Sequence, residues 1–90
     1  MISLNREDVL ALAEEEGMVI VDGFDDAIIG LSSRCGGNTI IAYDIDKMVL
    51  IMSEREQISF EESYEYIEYN IIGQYCGEMS PCFIRKTDEI

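Results

Sequence analysis

Two β-branched runs, "DAIIGLSS" (26–33) and "NTIIAYD" (38–44), flank the short connection "RCGGN". No other feature restricts the chain as much. Such runs, bounded by turn residues, read as strands, and a brief glycine-bearing link makes them partners in an antiparallel hairpin. Gly36 and Gly37 tolerate the positive φ that such a turn demands. A lone hairpin is marginal in water, so other segments must cover a face of it.

Helices supply that cover. Residues 5–16 read as a helix with Asn5 as N-cap, Glu7 and Asp8 in the first turn, and Gly17 as the stop. Its apolar face holds Val9, Leu12 and Ala13. "MVIV" (18–21) reads as a short strand. Asp44 caps a second helix over about 45–55, where Ile45, Met48, Val49 and Met52 repeat at helical spacing and Leu50 and Ile51 widen the buried stripe. Ser59 with Glu62 forms a capping box that opens a third helix, about 60–76, with Phe60, Tyr64, Ile67 and Ile71 as its core stripe. Gly77 ends it and Pro81 prevents its resumption. "CFIRK" (82–86) reads as a last strand, and 87–90 as a frayed tail. The order α-β-β-β-α-α-β predicts an α+β fold: a small antiparallel sheet of three to four strands packed by two to three helices. Residues 1–90 form a single domain, with the first helix at its periphery.

Charge decides the class of partner. Nineteen acidic residues against six basic ones leave a net charge of −13 in 90 residues. Such a field repels nucleic acid and anionic membrane and attracts basic protein surfaces or cations, so neither direct nucleic-acid binding nor membrane binding is expected. Histidine is absent, which removes the usual partner of an activated nucleophile and the commonest zinc ligand. With no catalytic motif either, the chain reads as a binder with no catalytic residues and no cofactor. The first residues carry no basic n-region, and no apolar run approaches the ~18–20 residues of a membrane span, so a cytoplasmic protein with reduced thiols is expected.

Two metal readings fail. "DIDKMVLIMSER" begins as a calcium loop, but Val49 stands where that loop needs glycine and Arg55 where it needs glutamate. Cys35, Cys76 and Cys82 lack zinc-knuckle spacing and have no histidine to complete a set, so they read as small buried hydrophobes and no metal is expected. Gly30, inside a strand, implies either close contact with a covering helix or the floor of a small groove rimmed by Asp25, Asp26 and Tyr43. In "VDGFDD", Gly23 permits a turn and Phe24 plugs the end of the sheet. One of Asp25 and Asp26 bonds the turn backbone while the other faces a partner. Tyr66 and Tyr69 stand among glutamates on a flank of the third helix, the composition of an interface, and Asn70 needs a partner if buried.

Taken together, "DGFDDAIIG", "YD" (43–44), "YNIIGQYCGE" (69–78) and "SPCF" (80–83) resemble a family of short proteins of unassigned activity encoded by phages and prophages. The resemblance covers residues 22–84 and implies a phage accessory protein in a bacterial host cell. Asp25, Asp26, Asp44 and Glu78 match acids that recur in that family. The expected binding residues are therefore Asp25, Asp26, Phe24, Tyr43, Tyr66, Tyr69 and Glu78. The expected action is protein–protein binding that masks a basic surface, for instance of a host defence protein or nuclease. A homo-oligomeric assembly protein, with a homodimer through the Tyr-lined helix, is the alternative. A small-ligand or cation binder comes third.

Overall fold

A computed structural model of the chain describes residues 4–33, 36–75 and 77–86. The hairpin is its spine: β1 (Ile28–Ser32) pairs antiparallel with β2 (Ile40–Asp44), setting Ile28 opposite Tyr43 and Ser32 opposite Ile40. Gly36 in the connection has φ 74°, whereas Arg34 and Cys35 lie outside the described residues. Helix α1 (Arg6–Glu16) precedes the hairpin, and α2 (Ile45–Glu56), α3 (Phe60–Ile67) and β3 (Cys82–Ile84) follow it. The architecture is α+β, three helices on a three-stranded sheet ordered β1-β2-β3.

The sheet is mixed, which corrects the all-antiparallel expectation. β3 runs parallel to β2, with Tyr43 beside Phe83. Two helices separate these strands in sequence, and a crossover of that length returns the chain to the end from which β2 started. "MVIV" also differs from expectation, because it forms no strand. The Val19 N–H donates to the Met79 carbonyl at 3.0 Å and the Val21 N–H to the Tyr43 hydroxyl at 2.9 Å. Met18 and Val21 are buried, so the apolar run serves the core through a loop whose polar atoms find partners outside any ladder. Short apolar runs are ambiguous in this way.

Helix termini behave as their residues dictate. Asn5 accepts the Asp8 N–H at 2.8 Å while the Asp8 carboxylate accepts the Asn5 N–H at 3.2 Å, and Gly17 closes α1 at φ 77°. Val9 and Ala13 enter the central core, so α1 is integral to the fold and not peripheral. Asp44 caps α2 through the Lys47 N–H and pairs with Lys86 at 2.9 Å. Burial alone would raise its carboxyl, but Lys86 and that N–H hold it below its ordinary value. Ile45, Met48, Val49 and Met52 are buried as their spacing requires, against Ile28, Ile41 and Tyr43 of the sheet. Leu50, placed in the same stripe by its sequence, is exposed.

The third helix departs most from its predicted form. It is α-helical only to Ile67 and continues as a π-helical turn over Glu68–Ile72, whose Gly73 N–H donates to Glu68 O at 3.1 Å. Its buried row is Ser63, Ile67 and Ile71. Ser63 is admitted to the core because its hydroxyl donates to the Ser59 carbonyl at 2.9 Å, one turn back. Phe60 and Tyr64, expected in that row, are 63% and 37% exposed. Phe60 stands two turns before Ile67 and so points to the same side. At that end of the helix Phe60 borders an open groove against α2. Periodicity sets a side chain's direction, not whether a neighbour reaches it.

Ile67→Asp places a carboxylate in the fully buried row, and we expect a loss of more than about 3 kcal/mol in stability. Phe60→Ser should cost less than about 1 kcal/mol, since the ring is mostly in water. Thermal melts by circular dichroism check both; equal losses would place Phe60 back in the core.

Candidate protein-binding face

The acidic corner is a turn held rigid from two sides. Phe24 is buried, and the Ala27 N–H donates to its carbonyl at 2.9 Å to form a 3-10 turn over Asp25–Ala27. Arg55 donates from Nη1 to the Gly23 carbonyl at 3.0 Å, with its guanidinium 4.9 Å from the Phe24 ring centroid. Arg6 donates from Nη2 to the Asp26 carbonyl at 3.0 Å. Both arginines thus bind backbone oxygens, and the carboxylates of Asp25 and Asp26 are left facing water. Gly23 suits this turn by its φ of 87°, and a Cβ there would lie 2.8 Å from Arg55 Nη1 and displace that guanidinium.

Two expected binding residues are interior. Phe24 and Tyr43 are 2% and 0% exposed, so neither can touch a partner. Burial pushes the Tyr43 hydroxyl above its ordinary value, the Val21 hydrogen bond opposes this, and the carboxylates of Asp25 and Asp22 add to it. On the side where a Cβ would stand Gly30 meets no helix, and it shares none of the hollows described below with Asp25, Asp26 or Tyr43. It sits at a bulge between Ile28 and the regular register, and an added Cβ would meet nothing within 4 Å.

The remaining candidates separate. Tyr66 lines a cleft of about 370 Å³ with Asp22, Phe24, Arg55 and Asn70, and Asn70 is exposed enough to need no buried partner. Glu78 lines another depression, about 540 Å³, with Gly36, Gly37 and Cys82. Cys82 is half-buried on β3, while Cys76 lies outside the described residues. Tyr69, 79% exposed, projects from the π-helical turn.

Between α2 and α3 lies a face whose apolar residues sequence reasoning assigned to the core. Val49 and Leu50 of α2 and Phe60 and Tyr64 of α3 line a groove of about 510 Å³ rimmed by Asp46 and Glu61. Tyr64 also borders an adjoining hollow of about 370 Å³ shared with Glu65, Glu68 and Tyr69. Arg85, just past β3, fixes the position of Tyr64: Nε donates to its hydroxyl at 2.8 Å, and the guanidinium lies 5.6 Å from the ring centroid. The same guanidinium pairs with Glu68. Phe60, Tyr64 and Leu50 were overlooked because apolar residues at helical spacing read as core. The available signal was the width of the α2 stripe, which holds more apolar residues than one sheet face can cover.

The sequence matches no family model and shows no significant similarity to a curated protein or to a solved structure. Among the described residues no three His, Cys, Asp or Glu side chains gather as metal ligands, and no helix is long and apolar enough to cross a membrane.

Gly23→Ala should destabilise the protein by about 1–2 kcal/mol through a strained φ and displacement of Arg55. In an Arg55→Ala background the same change should cost less, because the steric part disappears. Denaturant unfolding of the four proteins in this cycle measures the difference, and strict additivity would show that Arg55 does not crowd the turn.

Proposed function

We propose that the protein acts by binding another protein, using the acid-rimmed aromatic face of α3 to engage and mask a basic surface. One observation carries the reading. Phe60, Tyr64 and Tyr69 stand exposed on neighbouring hollows, with Asp46, Glu61, Glu65 and Glu68 around them. Clustered aromatics within a polar rim have the anatomy of a protein interface, where a few large rings contribute most of the affinity.

The rim gives the partner its sign. Four of the described cations are engaged internally: Arg6 and Arg55 on backbone carbonyls, Arg85 on Glu68, and Lys86 on Asp44. The net charge of −13, in which these cations are already counted, projects a field that steers basic surfaces inward and opposes a second copy of the chain. Asp25 and Asp26 add to this field from a rigid corner but do not line the aromatic groove. A target that itself binds phosphate backbones, such as a nuclease, has the complementary charge. Such a target suits the phage accessory role that the family resemblance implies.

Immobilised protein exposed to a bacterial lysate, with bound proteins identified by mass spectrometry, tests the reading. Captured proteins should be basic and released by salt, and they should be lost when Phe60→Ser and Tyr69→Ser are combined. The Glu14, Glu15, Glu16→Gln triple variant on α1 should retain them within about threefold, since those acids line neither the groove nor the adjoining hollow. Retention that ignores the aromatic changes, or a triple variant that fails as badly, would overturn it.

A further inference from the structure

We infer that the groove between α2 and α3 receives an amphipathic α-helix of the partner, cationic on its polar side. The inference rests on the reading of this face as a protein-binding surface, and it names what docks there. The walls are two helices, and apolar atoms of Val49, Leu50, Phe60 and Tyr64 form the interior of about 510 Å³. A groove of this kind takes the apolar stripe of a third helix, through anchors spaced i, i+3 or i+4, and i+7. A peptide that binds by adding a strand needs a free sheet edge to supply its backbone partners, which two helices do not offer.

Length agrees with more than one anchor. From Phe60 to Tyr64 the chain rises about 6 Å, the distance over which a docked helix presents its i and i+4 positions. The groove adjoins, at the shared Tyr64 ring, the hollow that Glu65, Glu68 and Tyr69 line. Charge then selects the occupant. Asp46 on α2 and Glu61 on α3 rim the groove, and Glu65 lines the adjoining hollow. Among the described residues the lining of both holds no lysine or arginine, and the guanidinium that lies on Tyr64, that of Arg85, is already paired with Glu68. A helix with leucine-like anchors and lysine or arginine on either side would fill the interior and meet all three free acids. The helices of a second copy would bring further acids to the same rim.

The test uses synthetic peptides of about 15 residues built from leucine and lysine, a length at which a helix forms readily on an apolar surface. One peptide sets leucines at helical spacing, a second scrambles the order at the same composition, and a third replaces the leucines with alanine. Titration of the intact protein into fluorescently labelled peptide, followed by anisotropy, should show the patterned peptide binding at least about tenfold tighter than the other two. Leu50→Asp should weaken it by a similar factor, and Phe60→Ser serves if Leu50→Asp melts early. Equal binding of all three peptides, unchanged in these variants, would overturn the helix inference while leaving a basic partner intact. No binding of any peptide at low salt would overturn both.

Discussion

The Tyr43 ring is the point on which the structure hangs. It lies on the central strand, fully buried, stacked on Phe83 of β3 at 6.0 Å between centroids and opposite Ile28 of β1. Its hydroxyl accepts the Val21 N–H, and so ties the loop before the acidic turn to the middle of the sheet. Burial and the nearby carboxylates both favour the neutral phenol, so this hydrogen bond is indifferent to pH across the range in which the carboxylates ionise. With the loop anchored from within by Tyr43 and Phe24, and from without by Arg6 and Arg55, Asp25 and Asp26 are presented on a fixed turn.

That anchoring determines which surface is left for a partner. The sheet takes one side of α2 through Ile45, Met48 and Met52, and α3 adds only its Ser63–Ile67–Ile71 row to the same core. A chain of this size buries only ~60% of its unfolded surface, so some apolar area stays in water in any case. Here the exposed area is contiguous, with Leu50, Phe60 and Tyr64 lining one groove and Tyr69 beside it. Scattered exposure would need no explanation; a clustered aromatic face with an acidic rim does. Fold and proposed function meet at Tyr64, which Arg85 ties to the end of β3 while its ring lines the groove.

Local chemistry was legible in the sequence wherever one residue decides one geometry. Asn5, Asp44 and Ser59 cap their helices, Gly17 stops α1, and the β1–β2 hairpin forms where β-branched runs flank glycines. What escaped depends on which elements meet. The direction of β3 follows from a crossover whose path no local pattern encodes. The burial of Ser63 in place of Tyr64 turns on a hydroxyl satisfied within its own helix, which hydrophobicity alone ranks wrongly. Tyr43 looked like a rim residue beside Asp25 and Asp26. The structure sets it near Asp25 and Asp22, but beneath the surface. Tyr69 and the acids around it were read as interface from composition, and the Tyr69 ring stands in water.

The account depends on which aromatic rings meet water, and hydroxyl-radical footprinting read residue by residue in mass spectra of the native protein measures that. Phe60, Tyr64 and Tyr69 should be oxidised readily, while Phe24 and Tyr43 stay protected until the protein unfolds. Phe60 and Tyr64 protected to the same degree as Tyr43 would contradict the account, because the α3 face would then be core and no groove would stand open.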